Sequence, residues 1–294
     1  MLDAIGWVLG NIGQAIVNIG WAVFNISTWS DMSDMRQVAR VIYYGASVEF
    51  FFAVFTLFLA LTAAGLVWRP LMWGVVRGLE GFANGLGRIA AWAGLLMVLQ
   101  QLLIVFLQRI FRVSAIEIGP FGYTFSRDLS WWSEELKLYN AIVVCLCITY
   151  TFVQGGHVRV DLFYSQVRFR TKKLIDMFGA LFFMMPVATL TWLYAWHFMW
   201  RSLVNPKVSA SDTLTQIERK GGIMRWQVET IGFSPNGFDA YFLFKVLIVT
   251  FCGLVFVHAI AVFYRNLLEY LEGPESEGRY LDRDPSGDAA PQAH

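Results

Sequence analysis

The chain has 294 residues, 56% of them hydrophobic and only 15% charged, with a net charge of +1 and a mean hydropathy of +0.50. A soluble domain carries about a quarter charged residues, so this composition describes an all-α integral membrane protein. With no basic stripe standing clear of the membrane flanks, nucleic acid is excluded as a partner.

In chain order, the first element is amphipathic. Within AIGWVLGNIGQAIVNIGWAVFNISTW the pair Ile-Gly recurs every seven residues, at Ile5, Ile12 and Ile19. On a helical wheel the isoleucines share a face with Val8, Leu9, Ile16 and Val23, while Asn11, Gln14, Asn18 and Asn25 lie opposite. Residues 1–35 are therefore expected to form a helix that either lies in the interface or spans the membrane with its amides turned to protein. Asp3 stands where a signal peptide needs cations, so no cleavage is expected.

A spanning helix needs about 20 apolar residues. Four stretches meet this clearly, at 48–68, 89–108, 177–200 and 241–264. A fifth, LYNAIVVCLCITYTFVQG (138–155), is shorter but holds no charge and spans if it lies near the membrane normal. The expected units are the amphipathic segment 1–35, an extra span with a cytoplasmic connector over 41–88, a four-helix core over 89–268, and a disordered tail over 269–294. Within the core, the 201–240 loop is too long for a plain connection. SASDTLTQIERKGG supplies helix-capping residues and a Gly-Gly stop, and GFSPNG is a turn, so this loop reads as a folded flap or a docking surface.

Cations in short loops set the orientation. Segments 69–88 and 156–173 carry eight cations in 38 residues, against eleven in 109 for 1–40, 109–137 and 201–240. The denser pair is assigned to the cytoplasm together with the C-terminus.

Ionisable groups inside spans are the default functional candidates. Glu49 and Lys245 lie near span ends, where they can reach water. Gln100 and Gln101 can bridge helices, although no partner carboxylate is evident in the neighbouring spans. Pro186 marks one kink. Cys145, Cys147 and Cys252 all sit in apolar runs and read as core thiols. His157, His197 and His258 fall at different depths, which disfavours a haem clamp, and His157 with Asp161 alone is a weak metal pair. Gly155-Gly156 ends a span with a sharp turn, after which His157, Arg159 and Asp161 can meet headgroups or a partner.

Three features then converge: Arg109 closing a span in LQRIF, Glu135 in SEEL just before the next, and GGHVRVDLF just after it. With two further spans following, the arrangement resembles the small, DctQ-type membrane subunit of tripartite ATP-independent periplasmic (TRAP) transporters. The resemblance covers 86–200 well and 240–268 by pattern. Such subunits commonly have four spans, so the N-terminal helix, the extra span and the long 201–240 loop are departures. The resemblance implies a non-catalytic scaffold in a bacterial inner membrane, with sodium and substrate sites on a large partner subunit and an organic anion delivered by a periplasmic binding protein. No cofactor is implied for this chain. His157, Arg159, Asp161, Arg109 and Glu135 become candidates for contact with subunit or lipid, with Arg109 and Glu135 expected to pair. A stand-alone carrier or channel, or a haem-bearing redox anchor, are the competing readings.

Overall fold

The computed structural model of the chain describes residues 2–27, 32–118, 125–155, 166–232 and 234–282. Among these, six helices are long and apolar enough to cross a membrane. Helices satisfy their own peptide groups, which hydrocarbon cannot do for them. The all-α expectation holds, with only two short antiparallel ribbons beside the helices.

Helix α1 (Leu2–Phe24) is followed by α2 (Met35–Tyr44), whose Asp34 cap accepts from Arg36 N at 2.9 Å. Ser47 caps α3 (Val48–Val67) in the same way. One residue, Trp68, separates α3 from α4 (Arg69–Val105), which continues through a π turn at Phe106–Ile110. The ribbon β1 (Ala115–Ile118) and β2 (Phe125–Asp128) leads into α5 (Leu129–Gln154). There Gly155 adopts φ 73°, a left-handed stop that glycine accepts without strain. A long rod follows, made of α6 (Phe169–Gly179), a π turn at Ala180–Met184, and α7 (Met185–Trp200). The helix widens just before Pro186, the residue that cannot donate to the ladder.

The 201–240 flap is folded. It holds β3 (Val204–Asn205), α8 (Leu214–Gly221) and β4 (Arg225–Trp226), with a capping box at Thr213 and Gln216 and a stop at Gly222. Helix α9 (Phe242–Glu272) closes the bundle and packs against α4, α5, α6 and α7.

Close approach is set by glycine. A Cβ at Gly87 would stand 2.2 Å from Tyr150 Cβ, so α4 and α5 meet through a position that tolerates no side chain. Two apolar clusters fill the ends. One joins Val38, Ile42, Trp200, Ile217 and Val249 at the flap end. The other joins Phe58, Met72, Trp73, Tyr264 and Leu268 at the opposite, tail end. Glu80, Asn84, Lys173 and the chain from Arg265 onward gather at the tail end.

Three expectations change. Residues 69–88 are the first five turns of α4 rather than a connector. Pro70 sits in the opening turn, where its missing N–H costs nothing. The tail does not begin at 269: α9 runs to Glu272, and residues 273–282 fold back onto the bundle. Thirdly, α1 packs on α3, with Ala15 only 1% exposed and the Trp7 and Phe52 rings 5.3 Å apart, and Asn11 and Asn18 are half-buried together with Ile12 and Ile19 rather than on a separate face. Ile5, Leu9, Ile16 and Val23 are each more than half exposed.

An interfacial helix turns its polar side to water, whereas this one half-buries Asn11 and Asn18 beside the buried Ala15. We therefore expect cysteines introduced at Asp3 and Ser33, in a cysteine-free background, to label from opposite membrane faces. Labels on one face would return α1 to the interface. Gly87→Ala should lower the stability of the purified protein by about 1–3 kcal/mol through overpacking against Tyr150, read as a fall in its detergent melting temperature.

Candidate functional site at the two ends of the bundle

The tail end is organised by charges taken out of water in pairs. Arg265 of α9 forms a two-pronged bond to Glu80 of α4, with side chains only 12% and 7% exposed. Its planar fork matches a carboxylate, the strongest neutral-sum arrangement available there. Arg265 also donates to the Arg279 carbonyl at 3.1 Å, lies 3.5 Å from Glu269, and stacks 5.6 Å over Trp73. Glu269 takes a 2.6 Å bond from Lys173 at the start of α6 and a 3.2 Å bond from Gly278 N. Trp73 Nε1 donates to Glu272 at 3.1 Å. One cluster thus ties α4, α6, α9 and the folded-back tail.

Beside it lies a polar corner. Asn84, almost fully buried, donates to the Asp282 carbonyl at 2.8 Å and accepts from Gln154 at 3.1 Å. Gln154 is the last residue of α5, immediately before the Gly155 stop. His157, Arg159 and Asp161 follow at 157–161 and lie outside the described residues.

The flap end is tied by a different set. Lys245 enters α9 buried, donates to Glu229 of the flap at 2.6 Å, and sits 4.5 Å over the Phe198 ring. It is therefore held by the flap rather than reaching water. That ammonium holds the Glu229 carboxyl below the ordinary range. Glu134 accepts from Ser234 Oγ and Phe238 N, both at 3.0 Å, and so clamps the GFSPNG turn to α5. Asp239 accepts from Trp131 Nε1 at 3.0 Å and pairs with Arg127 at 3.5 Å.

Glu135 does not pair with Arg109 among the described residues. It accepts from Gln100 Nε2 at 3.1 Å, and Gln100 also donates to the Trp132 carbonyl at 3.0 Å. Gln100 thus bridges α4 and α5 and finds its carboxylate after all. Arg109 is exposed on the π turn that ends α4. His258 is buried and stacks 5.3 Å from Phe152, whereas His197 is half-buried, with Nδ1 3.2 Å from the Leu193 carbonyl.

Reading the sequence missed Glu80, Arg265, Glu269 and Lys173 as one set. Two signals were present: Arg265 and Glu269 at i, i+4 after an uninterrupted apolar run, and a lone glutamate among the arginines of 69–88.

These features define a multi-pass α-helical membrane protein whose ion pairs sit at the ends of its helices. Residues 121–215 match the family model of tripartite ATP-independent periplasmic transporters, DctQ component. This stretch takes in β2, α5, α6, α7 and β3 and ends within the first turn of α8; it is similar to the small membrane component of such transporters, in agreement with the resemblance read from the sequence. It includes Glu135 and the 157–161 segment but not Arg109. Neither the curated proteins nor the solved structures compared with the chain gave a match.

Arg265→Met should cost about 3–5 kcal/mol, because it leaves Glu80 buried without its partner. The double variant Glu80→Leu, Arg265→Met should recover most of that loss in thermal melts. At the flap end, a depressed carboxyl contributes stability above its unfolded pKa and loses it as pH falls through the folded one. Protease nicking of 201–240 should therefore rise on acidification below the usual glutamate range, and Glu229→Gln should weaken that pH dependence, leaving the part due to Asp212, whose carboxyl the Lys220 ammonium also holds low.

Proposed function

We propose that this chain is the non-catalytic scaffold subunit of a sodium-coupled secondary transporter that imports an organic anion of the carboxylate class. The large partner subunit carries the sodium and substrate sites, and a periplasmic binding protein delivers the solute. The membrane is the bacterial inner membrane, with the tail end cytoplasmic and the flap end periplasmic. Cations crowd the tail-end segments, which supports that orientation.

The observation that carries the reading is where the charge lies. The ion pairs described above all sit at the bundle ends, tying helices to one another or to the flap and tail. Between the ends, α4 exposes Trp92, Leu96, Leu99 and Leu103, and the α6–α7 rod exposes Phe178, Phe183, Leu190 and Tyr194. A brace needs such apolar flanks and fixed ends, so that it resists being dragged by a moving neighbour. His157, Arg159 and Asp161 are proposed to hold the tail-end corner against the large subunit or lipid headgroups. Arg109 and Glu135 act near the flap end, each in its own contact. The 1–35 helix and the α3 span serve as additions to a subunit core over 89–268, whose first helix residues 69–88 extend.

Proteoliposomes holding this chain alone should take up no organic anion under a sodium gradient, and uptake should require the large subunit and binding protein. Flux from the chain alone would reassign it as a carrier or channel. Arg159→Ala should lower the yield of purified complex severalfold; an unchanged yield and transport rate would remove the corner from the interface.

A further inference from the structure

At the flap end, α2 and α8 pack so closely that a Cβ on Gly221 would stand 3.0 Å from Ala39 Cβ and 3.2 Å from Arg36 Cα. This contact leaves an open hollow of about 280 Å³ lined by Arg36, Arg40, Glu218, Arg219 and Gly222. Arg40 is engaged by Glu218 at 3.1 Å. Arg36 and Arg219 have no acidic partner among the described residues, so the lining of the hollow, three arginines against Glu218, carries an excess of two positive charges.

Its surroundings are amphiphilic. Arg36, Arg40 and Tyr44 follow at i, i+4 and i+8, one stripe along α2. Tyr44 is 43% exposed, and the next exposed residues in chain order are Val48, Glu49, Phe50 and Phe51, with Val48 and Phe51 three apart on one side of α3. Ile223, directly after Gly222, is 74% exposed. Cations thus give way to an aromatic ring and then to the lipid-facing side of a span. Tyrosine and tryptophan favour the headgroup level, and Trp196 and Trp200 flank α2 there, with Trp196 Nε1 donating to the Ile42 carbonyl at 2.9 Å. A soluble anion or an acidic protein loop would use the arginines but has no need of the apolar run beside them.

We propose that this hollow binds the phosphate of an anionic phospholipid, with the acyl chains lying along α3 past Tyr44, Val48 and Phe51. Guanidinium groups suit phosphate because their fixed donors meet its oxygens in pairs. Glu218 tempers the site by holding one of its three arginines. The inference does not depend on the transport role.

The test uses the full chain in nanodiscs of phosphatidylcholine doped with labelled phosphatidylglycerol, read as enrichment of the label near the protein. Each free arginine near a membrane surface is worth about fivefold, so Arg36→Gln with Arg219→Gln should cut the preference on the order of 30-fold. Arg112→Gln, an exposed control, should leave it unchanged. Glu218→Gln should raise the preference by releasing Arg40, a gain that a purely structural role does not predict, and one that stands even where the double variant folds poorly. Equal enrichment in the wild type and all variants would overturn the proposal. So would binding of inorganic phosphate to the detergent-solubilised chain as tight as that of the lipid, which would make the hollow a soluble-anion site. An unchanged lipid preference with loss of binding-protein docking in the double variant would overturn it too, and assign the arginines to a protein carboxylate.

Discussion

The bond between Arg265 and Glu80 is the constraint from which the tail end of the molecule follows. Removing either charge from water alone is prohibitive; removing both together is tolerable if every donor and lone pair finds a partner. Here the pair is joined by Glu269, Lys173, the Arg279 carbonyl and the face of Trp73. Those partners come from α4, α6, α9 and the tail. Satisfying one guanidinium therefore sets the relative positions of three helices and holds the chain after Gly273 against them.

Helix α4 makes this possible by its length. From Arg69 to Ile110 it has 42 residues, roughly 60 Å of rise and about twice the hydrocarbon thickness. From Asn84 onward it runs beside α5, approaching closely at Gly87, and the turns before Asn84 reach past the end of α5 to meet the last turns of α9. The same rod thus joins α5 to the α1–α3 segment. The flap end works by a parallel logic with weaker ties. Lys245, Glu229, Glu134 and Asp239 pin a folded loop over apolar residues of α2, α7 and α9. Stability is concentrated at the two ends, and the stretch between them is held by close helix packing.

Much of this architecture could be read directly. Apolar runs located the spans, and the flap's caps and stops lie where Thr213, Gln216 and Gly222 indicated. The 69–88 segment misled because five glycines and three arginines resemble a surface loop. Glycine weakens an isolated helix, but here the helix is stabilised by partners far away in sequence. The tail misled for the same reason, since its charges look solvated until Asn84, Gln154 and Glu269 are found beneath them.

Residue types and their spacing determined by themselves that the chain is an all-α membrane protein, because hydrocarbon demands long apolar helices and places charge toward the water. Tertiary structure alone decided which charges are buried as pairs, that Glu135 turns to Gln100 while Glu134 holds the flap, and that α1 half-buries Asn11 and Asn18 beside Ala15. Each of these depends on which helices stand side by side, and a one-dimensional pattern of hydrophobicity records depth along a helix but not the identity of its neighbour.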